Sequence, residues 1–99
     1  MIEVKVKELR DGMKRVSIEA EVTEKDETRE VMSRLKDQAH KVASAIIADD
    51  TGTIKLTLWN EQIDQVSVGN TVKIENGYVT SFRGEIQLNI GKYGKLTVE

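Results

Sequence analysis

The chain reads as an all-β protein, a small barrel of five strands with one short helix, and three observations carry that reading. Apolar residues alternate with polar ones in separate stretches: Val16, Ile18, Ala20 and Val22; then Ile54, Leu56 and Leu58; then Ile86, Leu88 and Ile90. A period of two residues is the mark of a half-buried strand. Glycine-bearing turns separate the stretches at Asp11-Gly12, Asp50-Thr51-Gly52, Gly69-Asn70 and Arg83-Gly84. Evenly spaced short strands with such turns favour a closed or partly closed barrel over a sandwich. Proline is absent, and only one short stretch, Glu61 to Val66, has the spacing of a helical turn.

Taken in order, Val4 and Val6 alternate with Lys5 and Lys7, and Leu9 leads into the Asp11-Gly12 turn. The first strand follows, with Val16, Ile18, Ala20 and Val22 on one side and Ser17, Glu19, Glu21 and Thr23 on the other. Residues 24–38, EKDETREVMSRLKDQ, are strongly charged. Val31, Met32 and Leu35 give them only a weak helical spacing, so they read as a long connector with extended strand ends. Val42 to Asp49 is the second strand and residues 53–59 the third. Between them Asp49-Asp50-Thr51-Gly52 is a hairpin signal, with Gly52 free to take positive φ. The Glu61–Val66 turn takes Asn60 as its N-cap and directs Ile63 and Val66 inward. Thr71 to Thr80 is the fourth strand, which Gly77 interrupts as a bulge would. Ser81-Phe82-Arg83-Gly84 connects it to the fifth strand, Ile86 to Ile90, and Leu96 to Val98 returns to the sheet. Five strands in 99 residues, with the helix between strands three and four, are the pattern of an OB-fold, a five-stranded Greek-key barrel. Residues 1–99 are expected to form one such domain.

Composition narrows the function classes. There is no cysteine, which removes disulfides and thiolate metal sites. No apolar stretch approaches the roughly 20 residues that span a bilayer, and the N-terminus is charged from its third residue, unlike a signal peptide. A cytoplasmic protein without a membrane partner is the expectation, nucleoid-associated if prokaryotic. The net charge of −2 argues against indiscriminate polyanion binding. Its distribution answers that objection. Residues 1–27 carry six cations and eight anions. Residues 28–41 set Arg29, Arg34, Lys36 and Lys41 against Glu30 and Asp37, and residues 79–95 set Arg83, Lys92 and Lys95 against Glu85, each net +2.

The aromatic residues point to a use. There are four, Trp59, Tyr78, Phe82 and Tyr93, all at strand ends or in loops of the second half, while the inward rows are filled by Val, Ile, Leu and Ala. The third strand turns Ile54, Leu56 and Leu58 to one side and Lys55, Thr57 and Trp59 to the other. An indole beside a lysine and a threonine suits a flat partner such as a nucleobase, because stacking contributes about 1–3 kcal/mol per base whatever the base. Arg83, next to Phe82, can meet a phosphate or stack on a base. Tyr78 reads either as a fellow of Trp59 or as a cap on one end of the barrel. Tyr93 reads either as a ligand contact or as a loop residue packed on the rim.

The set of motifs resembles the single-OB-fold single-stranded DNA-binding proteins of the archaeal and eukaryotic type, akin to the OB domains of replication protein A. The resemblance runs from Val6-Lys7-Glu8-Leu9-Arg10-Asp11-Gly12-Met13, through Ala48-Asp49-Asp50-Thr51-Gly52-Thr53-Ile54 with Leu58-Trp59, and Val68-Gly69-Asn70-Thr71-Val72. It ends with the stretch from Gly77-Tyr78 through Phe82-Arg83-Gly84 to Leu88-Asn89-Ile90-Gly91. It implies base stacking at Trp59, Tyr78 and Phe82. It also implies sequestration of single strands in replication, recombination or repair, within a complex that can include protein partners. A fourth aromatic often follows the strand-five leucine in that family, and Asn89 stands there in this chain. Lys55, Thr57, Arg83, Lys92 and the cations Arg34, Lys36 and Lys41 are the expected phosphate and sugar contacts, with Tyr93 a further candidate. Two other readings use the same fold: a module for RNA or tRNA, and a domain that mainly holds a protein partner. Catalysis has no support. His40 is a lone histidine beside Lys41, Asp49-Asp50 suits a turn better than a metal, and no phosphate-cradling loop or nucleophile motif occurs. No cofactor and no metal are expected.

Overall fold

The computed structural model describes residues 3–32 and 39–99, the side chains of residues 31, 32, 39 and 91–93 excepted. A 3-10 turn at Val6–Glu8 is followed by β1 (Val16–Lys25), β2 (Arg29–Met32), β3 (Ala39–Asp49), β4 (Gly52–Trp59), α1 (Glu61–Gln65), β5 (Thr71–Phe82) and β6 (Glu85–Val98). Strands β1, β5, β6, β4 and β3 are hydrogen-bonded in that order, and a β1–β3 pairing closes the ring. All these pairs are antiparallel except β4–β6, which is parallel. This is the expected OB-fold, with α1 between the third and fourth strands of the barrel.

The inward rows are those that the alternation marks. Ile18, Ala20 and Val22 of β1, Ala43, Ala45 and Ile47 of β3, Ile54, Leu56 and Leu58 of β4, Val72, Ile74 and Val79 of β5, and Leu88 and Ile90 of β6 fill one buried cluster. Ile63 and Val66 close one end of it, and Val6 and Leu9 join it from the N-terminal segment.

Four local details sharpen the sequence reading. The Val4–Val6 stretch does not continue as a strand. The Asp49 carboxylate accepts the Val6 N–H at 2.9 Å and turns the chain into the 3-10 segment. The same carboxylate accepts the Thr51 N–H at 2.7 Å and the Thr51 hydroxyl at 2.5 Å. The hairpin is held by Asp49, and Gly52 takes a positive φ of 159° as expected. In the charged connector, β1 runs on to Lys25 and β2 pairs with residues 39–42 of β3 as a short edge strand; Leu35 lies outside the described residues. Asn60 stands at the head of α1 without capping it by its side chain. Its Oδ1 instead accepts the Lys41 N–H at 3.0 Å and its own N–H donates to the Lys41 carbonyl at 2.8 Å, which prolongs the β3–β4 ladder by one residue pair.

The bulge expected at Gly77 is present. Against β1, β5 carries one extra residue between Ile74 and Gly77, and Asn76 takes a φ of 57°. A Cβ at Gly77 would meet the Asn89 carbonyl at 3.0 Å and Leu88 Cδ1 at 3.3 Å, so β6 crosses β5 closely there. Lys25, at the end of β1, donates to the carbonyls of Ile63 (2.6 Å) and Val66 (2.8 Å). A cation thus satisfies carbonyls that a helix of five residues leaves open at its C-terminal end.

Candidate nucleic-acid interface

The strand rows that face away from the core form one continuous surface across β3, β4, β6 and β5. Cross-strand register places Ser44 beside Thr57, Thr57 beside Asn89, and Asn89 beside Tyr78. The next row runs Ile46, Lys55, Gln87, Thr80. Directly paired residues on one face of the antiparallel β3–β4 and β5–β6 pairs have Cβ atoms roughly 5 Å apart, and the parallel β4–β6 pairing joins the two halves of each row.

Three large rings project from this surface. Trp59 is 41% exposed, Tyr78 39% and Phe82 60%. Tyr78 pairs with Asn89, and its ring is on the outward side of β5. Phe82 is the last residue of β5, paired with Glu85, and the link between them is the two-residue turn Arg83-Gly84. Both turn residues have positive φ, 53° and 84°, as a hairpin matched to the strand twist requires. The Arg83 guanidinium lies 5.2 Å from the centre of the Phe82 ring, a cation–π contact.

Lys55 and Thr57 share the Trp59 row, as the alternation requires, and are partly exposed. Lys55 lines a groove of about 470 Å³ with Asp26, Glu27, Arg29 and Ser44. Trp59, Gln62, Gln65 and Ile90 line another, of about 760 Å³, between α1 and β6. Lys41 is exposed at the start of β3, but it alternates with Val42 and pairs with Glu30, off the Trp59 row. Arg34 and Lys36 lie outside the described residues, as do the side chains of Lys92 and Tyr93. Among the described residues no cluster of three or more His, Asp or Glu is placed to hold a metal.

The structure adds Val42 and Gln62, which sequence reasoning did not single out for this face, and places Asn89, which it did. Val42 is the cross-strand partner of Trp59 and only 7% exposed, yet it is not part of the core cluster. It stands on the outward face, between Arg29 of β2 and Trp59 of β4. Gln62 accepts the Trp59 backbone N–H through Oε1 at 3.1 Å and so fixes the end of β4. Asn89 sits at the centre of the face, between Thr57 and Tyr78. Val42 continues the outward row of β3, so its alternation was available as a signal; the Gln62 contact depends on turn geometry.

A closed five-stranded barrel with one short helix after its third strand, and with aromatic rings on an outer sheet face, defines an OB-fold of the ligand-binding kind. The family whose profile matches residues 9–98 is described as "Single-stranded DNA binding protein Ssb-like, OB fold", and the chain belongs to that family. It is 37% identical over 95 residues to the single-stranded DNA binding protein Ssb of Saccharolobus solfataricus, a match that covers 96% of this chain and 63% of that one. It is 34% identical over 98 residues to replication factor A of Methanothermobacter thermautotrophicus, over 93% of this chain and 12% of that protein. The chain therefore spans less than two thirds of the length of these relatives. Among solved structures, the second OB-fold domain of replication protein A from Methanococcus maripaludis superposes with a TM-score of 0.78 at 26% identity, over 98% of this chain and 94% of that one. No helix among the described residues is long and apolar enough to cross a membrane.

Proposed function

We propose that the chain is one OB-fold unit that binds single-stranded DNA without strong sequence preference, by stacking bases and neutralising phosphates. The observation that carries this reading is the outward face itself: Trp59, Tyr78 and Phe82 stand exposed on one surface with Lys55 and Thr57 among them. Core packing does not account for three exposed rings on one side of a barrel whose interior is aliphatic. Family membership supports the same ligand. Trp59, Tyr78 and Phe82 stack bases, Lys55 and Arg83 meet phosphates, and Thr57 meets phosphate or sugar. Lys92, Tyr93, Arg34, Lys36 and Lys41 are further candidate contacts for the strand. The protein acts by binding and not by catalysis, in the cytoplasm, on single strands exposed in replication, recombination or repair, alone or within a complex that includes protein partners.

The test is a titration of tryptophan fluorescence with dT, rU and duplex oligomers at several salt concentrations. Trp59 is the single tryptophan, so quenching reports its own ring. The expected result is quenching by dT, weaker response to duplex, and an affinity that falls with salt. Single strands give a slope of about −0.7 per neutralised phosphate, so Lys55 and Arg83 alone predict about −1.4 in log K against log salt, and steeper values count further cations. The Trp59→Ala variant, followed by an independent assay such as oligonucleotide anisotropy, is expected to bind dT about 5- to 150-fold more weakly, the equivalent of one stacked base. Absence of binding at low salt would leave the protein-partner reading in its place; a preference for rU would point to RNA.

A further inference from the structure

Asn89 occupies the centre of the face, where stacking on β6 would need a ring. Its amide is held in one orientation. Nδ2 donates to the Thr80 hydroxyl oxygen at 3.0 Å and to the Gln87 carbonyl at 3.4 Å. The second contact is long, but it decides the orientation, because a carbonyl oxygen attracts the NH2 end of an amide and repels its oxygen. Both donors are thereby engaged along the strands. Among the described residues none donates to Oδ1. No described side-chain oxygen or nitrogen is both buried and without a partner, and Asn89 is partly exposed. Its Oδ1 is a fixed acceptor beside Tyr78, its cross-strand neighbour.

We propose that Asn89 is a base-edge contact: its Oδ1 accepts a hydrogen bond from the Watson–Crick edge of a base stacked on Tyr78. The inference rests on the single-strand reading and deepens it. A base lying on the Tyr78 ring extends past the ring, and the neighbour on β6 stands under that overhang. Each DNA base carries an N–H donor on this edge: N3 of thymine, N4 of cytosine, N6 of adenine, N1 and N2 of guanine. An acceptor alone therefore contacts any unpaired base while leaving sequence preference weak. It also discriminates against a paired thymine, whose single N3–H is committed to the complementary strand.

The experiment compares dT with an oligomer of N3-methylthymine, which keeps the stacking face and loses the donor. One net hydrogen bond corresponds to about 2- to 12-fold in affinity. Wild-type protein is expected to bind dT about that much more tightly than the methylated oligomer, and Asn89→Ala to bind the two equally within about twofold. Thr80→Val keeps Asn89 and releases its amide; it is expected to narrow the gap. If wild type binds dT and the methylated oligomer alike, or if Asn89→Ala keeps the full gap, the proposal is overturned while the single-strand reading stands. If wild type binds neither oligomer, the single-strand reading fails and the proposal with it.

Discussion

Replacing Asp49 by alanine is expected to cost far more stability than the same change at its neighbour. The Asp49 carboxylate accepts three hydrogen bonds, from the Val6 N–H, the Thr51 N–H and the Thr51 hydroxyl. The first joins segments 43 residues apart and holds the N-terminal turn against the β3–β4 hairpin. Bonds to charged groups contribute about 1.5–3 kcal/mol each. The site is only part-buried, so water replaces some of that, and about 2–3 kcal/mol in total is the expected loss. For a domain of this size about 10–20 °C of Tm follows. Asp50 carries a single described contact, an exposed ion pair with Lys5 at 3.2 Å, and Asp50→Ala is expected to leave the midpoint where it was.

The pH dependence supplies a second check. Partial desolvation raises the Asp49 carboxyl, but the hydrogen bonds from Thr51 and Val6, with the nearby Lys5 charge, outweigh it and leave its pKa below the ordinary 3.8. A depressed folded pKa gives stability that is complete above the unfolded value and lost as pH falls through the folded one. The gap between wild type and Asp49→Ala should therefore be full at pH 7 and shrink below about pH 4. Thermal melts followed by circular dichroism at pH 7 and pH 3 measure both. Equal melting of Asp49→Ala and Asp50→Ala at pH 7, or a gap that does not change with pH, would refute the account of this carboxylate.

Other substitutions separate stability from binding. Gly77→Ala brings a methyl to 3.0 Å from the Asn89 carbonyl and 3.3 Å from Leu88 Cδ1. Overpacking of that kind costs about 1–3 kcal/mol in urea unfolding, and the loss should be accompanied by weaker binding, since Tyr78 is the next residue of β5. Lys25→Met removes the two donations to the Ile63 and Val66 carbonyls and is expected to lower stability by about 1–2 kcal/mol with dT affinity unchanged. Phe82→Ala removes a ring that is 60% exposed. It is expected to leave the urea midpoint in place and to weaken dT binding by about fivefold or more, read by anisotropy.

Much of this fold was legible because a strand buried on one face writes its orientation every second residue. The rows led by Ile18, Ile54 and Leu88 face inward as the alternation requires, and Trp59, on the opposite row of its strand, is exposed for the same reason. Gly77 was legible as a bulge because a strand interior rarely tolerates glycine without a close approach. The N-terminal turn was not legible, since it depends on a hydrogen bond from a carboxylate 43 residues away in sequence. Nor was β2, an edge strand whose partner and not its own apolar pattern orders it. At the candidate interface the rings could be read from their positions outside the inward rows. Asn89 was legible as a position on the face but not for the neighbours that register gives it, and Gln62 was not legible at all, because its role depends on turn geometry.

The ribbon of β5 and β6 has a thermodynamic consequence. The ladder continues unbroken in register from Gly77–Ile90 to Phe82–Glu85 and closes in two residues. Ser81 also donates to Asp11 at 2.9 Å, and the Val79 backbone exchanges bonds with Gly12 and Met13. Phe82 is thus presented on braced backbone and not on a wandering loop, and the ligand has little chain to freeze on arrival. Each backbone residue left unordered would cost about 1–2 kcal/mol of conformational entropy at binding. Lengthening the Arg83-Gly84 turn with flexible residues would touch no contact and still shorten the lifetime of the complex.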